Sequence, residues 1–562
     1  MANWDHTTDV LVVGSGGGAM TAALTAKQAG LDVLMIEKTE YYGGSTALSG
    51  GGLWIPNNYL LQRDGLDDSL EKARMYLKNT VGDRTPQALQ DAYLENAPEM
   101  VKYLSSNSHV RFHRSVGYAD YYPERPGGTA DGRAIEGSPF DGSKLGADFK
   151  QLRPMSIKIP AGLAFTASEY NKIGMITSTW AGKWVALKVG VRTFFNMLTG
   201  VKLLALGQAL VARLRLSLKD EGVPIWLNTP FKELVVEDGA VVGVVAEKDG
   251  KPFRIRASKG VILAAGGFDH NQQMREEFQQ APVNHEWSSG SPGNTGDAIQ
   301  AGMKIGAKID LMDDAWWGPS TVPPNMPVMF HVGDRSYPGG IMVNAAGKRF
   351  TNEAASYVEV VHAMYEKNSV EVPHIPATFI MDSRFRRKYI FGTLFPMQPI
   401  PKIYFESGYF KRGDTLEELA QNCGLDPKNL AETVARFNQF ARNGRDEDFH
   451  RGDSAYDRYY GDPTVKPNPC LAPIEKPPFY AVQMVPGDLG TKGGLAIDEY
   501  ARVLRADGSP IPNLYAAGNT SASVMGNTYP GAGSTIGPAM TFGYIAAKHI
   551  AGGKIRPIGR LP

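Results

Sequence analysis

The stretch that most constrains the fold runs from Asp9 to Glu37, DVLVVGSGGGAMTAALTAKQAGLDVLMIE. Val10 to Val13 has the unbroken apolar character of a strand buried on both faces. Gly14, Gly16 and Ala19 then fill the three positions of G-x-G-x-x-G/A. The first lets the chain turn tightly, the second lets the backbone approach a pyrophosphate, and the third keeps the helix close to the sheet. Ser15, Gly17 and Gly18 complete the turn and open a helix whose unpaired N–H groups face the phosphates. Val33 to Ile36 is the second strand. Glu37 follows about 20 residues past the glycines, where an acid binds ribose hydroxyls. This order predicts a Rossmann-like domain with a parallel sheet that holds a dinucleotide. The motif alone does not separate NAD from FAD.

Later segments make that separation. Lys38 precedes Gly43-Gly44-Ser45-Thr46, and Ser49-Gly50-Gly51 comes soon after. Val261 to Phe268 is another buried strand, running into glycines through Ala265 and Gly266. Near the far end stands Leu514-Tyr515-Ala516-Ala517-Gly518-Asn519, and Ile536 lies in a last glycine-rich turn that enters a helix. The ensemble resembles the flavoproteins related to fumarate reductase. That resemblance implies FAD, wrapped by the early segments from Gly14 to Gly51 and closed in by Ala265, Gly266, Gly518, Asn519 and Ile536.

Composition sets bounds. At 562 residues the chain is long enough for two or three domains. A net charge of +1 supplies no global positive field, which argues against nucleic acid as a partner. The two cysteines, Cys423 and Cys470, give neither a metal spacing nor a disulfide framework, as expected of a cytoplasmic protein. The start of the chain reads as entering the first strand with no signal peptide, and no apolar run of about 20 residues is long enough to span a membrane.

In chain order, Leu70 to Leu104 has the spacing of two surface helices. Phe112 to Gly128 is a loop rich in tyrosine. Tyr170 to Lys219 carries eight basic residues and no acid. Within it Trp180, Trp184, Leu187, Val191, Phe194 and Leu198 recur at steps of four and three, which places them on one helix face. A basic amphipathic helix with tryptophans is the pattern of an interfacial membrane anchor, and equally of a helix packed on a partner or on the protein's own core. The stretch from Leu203 reads as a helix returning to the cofactor domain. Pro224 to Val245 predicts hairpins turning at Asp238-Gly239. Thr295 or Asp297 is expected to cap a helix, and Asp426-Pro427 to start one. Lys466 to Pro478 reads as a proline-rich linker, and Asp488 to Gly494 as a glycine loop. The expected division is a FAD-binding first part over 1–296 with a basic insertion at about 170–201, an inserted α+β substrate domain over 297–473, and a FAD-binding last part over 474–562.

One set of residues is more specific than the glycines. Asp120-Tyr121-Tyr122, Asn352-Glu353 with Tyr357, and Tyr529-Pro530-Gly531-Ala532-Gly533 stand in this order. With the flavin segments they resemble the 3-ketosteroid Δ1-dehydrogenases over nearly the whole chain. The resemblance implies Tyr121, Tyr357, Tyr529 and Gly533 as catalytic residues, FAD as cofactor, a 3-ketosteroid as substrate, and an electron acceptor, a quinone or other, that it does not identify. Chemistry explains the residue types. Desaturation beside a C3 ketone removes a proton from C2 and a hydride from C1, so the C3 oxygen develops charge. Two donors there, the Tyr529 hydroxyl and the Gly533 N–H, are worth about 3 kcal/mol each. Tyr357 serves as base if its pKa falls below its ordinary value of about 10, with Tyr121 in support. Rival readings on the same scaffold are a Δ4-(5α)-dehydrogenase, a fumarate-reductase-like enzyme, which would need basic residues for a dicarboxylate, and a non-catalytic flavin-binding membrane protein. If the basic segment binds lipid, the protein sits on the inner face of the cell membrane.

Overall fold

The computed structural model describes residues 4–156 and 163–553; the outermost residues of the first and last expected domain segments lie outside these. The strand His6–Val13 is central to an eight-stranded sheet. It runs parallel to Val33–Ile36 on one side, with Val10 opposite Val33, and to Lys251–Leu263 on the other. Pro510–Ala516 extends the sheet in parallel beyond Lys251–Leu263, and Ile225–Trp226 extends it beyond Val33–Ile36. Both faces are covered, which is why these runs are continuously apolar rather than alternating. The helices Gly17–Gln28, Ile536–Ile550 and Leu206–Asp220 pack beside it. Leu206–Asp220 is therefore the helix expected to return after Leu203. The expected hairpin is Phe231–Glu237 with Ala240–Lys248, turning at Asp238 and Gly239, both with positive φ.

A second, antiparallel sheet of six strands lies on the substrate side. Its long central strand is Phe479–Thr491, which pairs with Ala315–Thr321, Ala377–Asp382 and Phe410–Gly413. The strand therefore runs into the loop expected from Asp488. The local glycines suggested a loop, but thirteen residues of ladder hold this strand extended. At the other boundary, the helix Asp297–Lys304 packs against Phe231–Glu237 of the first unit. Neither Thr295 nor Asp297 caps it; its N-cap is Gly296 in the left-handed region, while Asp426 caps Pro427–Asn443 as expected. The proline-rich segment is no loose linker, since Leu471 and Ile474 are buried against the Pro427–Asn443 helix and Cys470 is buried with its thiol on the Asp457 carbonyl.

The basic segment forms the helix Trp180–Thr199, started by the Thr179 hydroxyl and ended by Gly200 in the left-handed region. Of its side chains only Val189 and Thr193 are buried, beside Gly182. Trp180 is 83% exposed, Trp184 67% and Leu198 67%. Among the described residues nothing of the protein's own core covers this face.

Candidate active site

One cavity of about 1420 Å³ runs between the two sheets. At one end it is walled by the first glycine turn. Gly14 has φ +105°, and a Cβ there would lie 2.2 Å from the Ala264 carbonyl. Thr46 Oγ1 accepts from the Gly17 N–H at 3.0 Å, leaving the other first-turn N–H groups of the helix for a ligand. The Glu37 carboxylate accepts from the Ser15 hydroxyl at 2.6 Å and from Thr39 N at 3.0 Å, which fixes its direction. Lys38 is paired with Asp297 at 2.8 Å on the rim. Gly18, Ala19, Gly44, Ser45, Ser49, Gly50, Gly51, Ala265, Gly266, Gly518, Asn519 and Ile536 line the cavity as well. Gly43 does not. It supports the turn from behind, donating to Ser15 Oγ at 3.1 Å with φ +113°. A helix N-terminus, an aimed carboxylate and an extended cradle in which a Cβ at Gly14, Gly18, Gly51 or Gly266 would clash fit a long anionic dinucleotide, and so fit FAD.

Further along the same cavity the tyrosines converge. Tyr121, Tyr357, Tyr529 and Gly533 all line it. The Tyr121 hydroxyl donates to the Tyr357 hydroxyl at 3.1 Å. Tyr529 stacks on Tyr121, with ring centroids 5.1 Å apart, and meets Tyr357 edge-on at 5.1 Å. The loop that carries Tyr121 is anchored through Asp120, which accepts from Trp54 Nε1 at 2.7 Å and from Arg133 at 2.8 Å. Tyr121 N then donates to the Pro530 carbonyl at 2.9 Å, so this loop and the Tyr529 turn are fixed together. The Tyr122 hydroxyl donates to Glu359 on the helix Tyr357–Glu366 at 2.5 Å, which sets the third partner. These tyrosines are buried rather than half-buried with wet hydroxyls, as loop tyrosines commonly are.

Gly533 has φ +93°, and a Cβ there would lie 2.3 Å from the Gly52 carbonyl carbon. Only glycine permits that close approach. Burial raises the Tyr529 pKa, while hydrogen bonds from Tyr357, Thr535 and the Gly533 N–H offset part of the rise. Tyrosine hydroxyl and amide thus point into the same space. For Tyr357 the expectation of a lowered pKa is not met. Burial, and then the neighbouring Tyr529, hold it well above 10, and the hydrogen bond from Tyr121 lowers it only in part.

Two further hydroxyls continue the line. Tyr118 lies 3.2 Å from Tyr121 and 2.5 Å from Tyr460, hydroxyl to hydroxyl. Tyr118 stands within the tyrosine-rich loop, but neither residue was singled out from the sequence. Also missed was the segment Ser288–Asn294, which lines the cofactor end without a motif of its own. Among the described residues no cluster of side chains could hold a metal ion.

A family model described as "FAD binding domain" matches residues 9–536. The 3-oxosteroid 1-dehydrogenase of Mycolicibacterium smegmatis is 50% identical over 552 residues, covering 97% of each chain. That of Mycobacterium tuberculosis H37Rv is 50% identical over 97% of this chain and 98% of its own. The crystal structure of 3-ketosteroid Δ1-dehydrogenase from Sterolibacterium denitrificans in complex with 1,4-androstadiene-3,17-dione superposes with a TM-score of 0.93. It shares 43% identity over 98% of this chain and 100% of that one. With the cofactor cradle and the tyrosine cluster in one cavity, and half its residues shared with these relatives, the chain belongs to the FAD-dependent 3-oxosteroid 1-dehydrogenases.

Proposed function

We propose that this protein desaturates the C1–C2 bond of 3-ketosteroids, with the C3 oxygen held between the Tyr529 hydroxyl and the Gly533 N–H. The observation that carries this reading is the convergence of three buried tyrosines and one glycine N–H on the cavity that cradles the cofactor. FAD, when bound, supplies the acceptor for the C1 hydride. Charge developing on the C3 oxygen is met by two preorganised donors in a site without bulk water. Tyr357 takes the C2 proton. Because burial disfavours its anion, its own proton must move on as the substrate's arrives. Tyr121 donates to Tyr357 at rest, so the hydroxyls first turn until Tyr357 donates to Tyr121, Tyr121 to Tyr118 and Tyr118 to Tyr460, which lines the cavity and releases its own proton to solvent through it. The aromatic walls suit a steroid skeleton, which is apolar with few polar handles. The site shows tyrosines where a dicarboxylate would require cations, which disfavours the fumarate-reductase-like reading.

The helix Trp180–Thr199 gives this reading a location. Its exposed tryptophans and leucines, with Lys183 lying 4.6 Å over the Trp180 ring, match an element that beds in an anionic bilayer surface. No helix among the described residues is long and apolar enough to cross a membrane. Seated on the inner face of the cell membrane, the enzyme would meet both its steroid and an apolar acceptor such as a quinone where they dissolve.

The test is anaerobic mixing of the purified flavoprotein with a Δ4-3-ketosteroid and with a saturated-ring 3-ketosteroid. Flavin bleaching by the Δ4 compound, with a new C1–C2 double bond by mass and NMR, is the expected result. Bleaching by the saturated ketone alone, with a C4–C5 double bond, would move the protein to the Δ4-(5α) activity. No bleaching with either compound would reject steroid desaturation.

A further inference from the structure

Behind the cofactor end of the cavity, three of its lining segments meet at a cluster with no solvent. Asp269, Arg275 and Asp488 are all 0% exposed. Asp269 follows Gly266-Gly267, Asp488 lies on the Phe479–Thr491 strand, and Ser288 opens the lining segment Ser288–Asn294. Arg275 donates to Asp488 at 2.6 Å and to the Asp269 carbonyl at 3.1 Å. The cluster therefore holds one cation and two carboxyl groups. His270 Nε2 is 3.9 Å from Asp269, but burial lowers its pKa and keeps it neutral. His285 faces His270, and Tyr365 faces Arg275 and Asp488; neither supplies a second cation to Asp269.

A count of protons gives the same answer as the count of charges. The Ser288 hydroxyl lies 2.7 Å from Asp488 Oδ1 and 3.1 Å from Asp269 Oδ2, and it accepts from Gly290 N at 3.0 Å. A hydroxyl has one hydrogen to donate. The shorter contact, to the Asp488 carboxylate paired with Arg275, takes it. The contact to Asp269 then needs a proton from Asp269. Asp269 Oδ1 has no hydrogen-bond partner at all, which is tolerable for a neutral acid and costly for an anion. Burial, reinforced by the charge of Asp488, raises the Asp269 pKa to about 7.

What Asp269 holds faces the cofactor. Asn294 Nδ2 donates to Asp269 Oδ2 at 3.2 Å and also to Ser45 Oγ at 3.0 Å, and Ser291 N donates to Ser45 Oγ at 2.9 Å. Ser45, Asn294 and Ser291 all line the cavity. The join has no slack, since a Cβ on Gly290 would lie 2.1 Å from Asp269 Oδ2.

We propose that Asp269, held as a neutral acid, is a positioning residue for FAD: it clips Ser288–Asn294 to the strand at Asp488, and its ionisation loosens the cofactor. Above neutral pH two carboxylates would contend for one hydroxyl proton, and the clip would open by like-charge repulsion. The closed, cofactor-holding state favours the protonated form. FAD affinity is therefore full below about pH 7 and falls as pH rises through it. The inference rests on the family's use of FAD, not on the identity of the steroid.

The experiment dilutes the holoenzyme at a series of pH values from about 6 to about 9 and reads released flavin by fluorescence. The dissociation constant is expected to rise about tenfold or more across that range, the change that follows when one group's pKa differs by about a unit between bound and free states. Asp269→Asn keeps an N–H for Ser288 and cannot ionise, so it should hold FAD with a flat profile. A flat wild-type profile, or an unchanged slope in Asp269→Asn, overturns the proposal. Infrared difference spectra of wild-type holoenzyme give a second reading. The carbonyl stretch of a buried neutral carboxylic acid should be present at about pH 6 and absent in Asp269→Asn. Its absence from the wild type would overturn the proposal even if the variant failed to fold. Protein that carries no FAD at any pH would instead sink the cofactor assignment, and the infrared band would still decide the protonation of Asp269.

Discussion

As the proposed base, Tyr357 depends on what lies beyond it rather than on its own acidity. Its burial disfavours a resting phenolate, so the line through Tyr121, Tyr118 and Tyr460 has to carry a proton away during each turnover. Tyr357→Phe is expected to lower desaturation by about 10²–10⁴-fold, with FAD and product-analogue binding retained; near-normal turnover would move the base elsewhere. Tyr118→Phe breaks the line while leaving Tyr121, Tyr357 and Tyr529 in place. Turnover should drop by about tenfold, and the solvent isotope effect should change from several protons to one. Gly533→Ala tests the other pole. Its Cβ would meet the Gly52 backbone in a φ region that costs about 1–3 kcal/mol for non-glycine residues, so loss of activity should come with a lower melting temperature. The four residues that converge on the cavity, Tyr121, Tyr357, Tyr529 and Gly533, were legible in the sequence because each sits in a short distinctive string. Tyr460 was not, because its partner Tyr118 lies 342 positions away and only the fold joins them.

At the scale of elements, the clearest departure from ordinary packing is the helix Trp180–Thr199. Its periodicity was readable, since steps of three and four suffice to place side chains on one face. Whether protein covered that face was not readable, because cover depends on neighbours distant in sequence. The fold leaves it bare, tethered by Arg192 to Glu169 at 2.9 Å. Deleting about 172–201 should release the protein from anionic liposomes, and replacing Trp180 and Trp184 by Ser should weaken binding in the same assay. Equal sedimentation with vesicles for all three proteins would reject the membrane contact. The strand Phe479–Thr491 shows the opposite failure. Its glycines and Pro486 argue locally for a loop, yet ladder bonds from two sides hold it extended.

Across the whole molecule, stability and pH are linked through buried ion pairs of the second unit. Burial pushes the Glu353 pKa up, but Arg349 and Arg451 outweigh it and hold the group below its ordinary value. Asp314 is lowered in the same way by Lys492 and His362, and Asp446 by Arg349. Carboxylates with depressed pKa values stabilise the fold above their unfolded values of about 4 and lose that contribution as pH falls through their folded values. The melting temperature should therefore fall steeply below about pH 4, and Glu353→Gln should flatten that limb while lowering stability at neutral pH. A pH-independent melting temperature over that limb would contradict it. The parallel cofactor sheet was legible from the strand and glycine motifs. The antiparallel pairing of Phe479–Thr491 was not, because its partners lie far away in sequence.

That strand also bears on how such proteins can be recombined. Its body is woven into the substrate sheet, while near its end Leu489 lines the cavity and Asp488 accepts from Ser288. A chimera that exchanges the substrate half for a relative's by splicing at the proline-rich segment would leave the native strand among foreign neighbours and split one sheet between two parents. Splices placed after Gly494 would take the whole sheet from one parent, with Asp488 meeting Asp269 and Ser288 across the junction, and should yield soluble hybrids where the earlier junction yields aggregates.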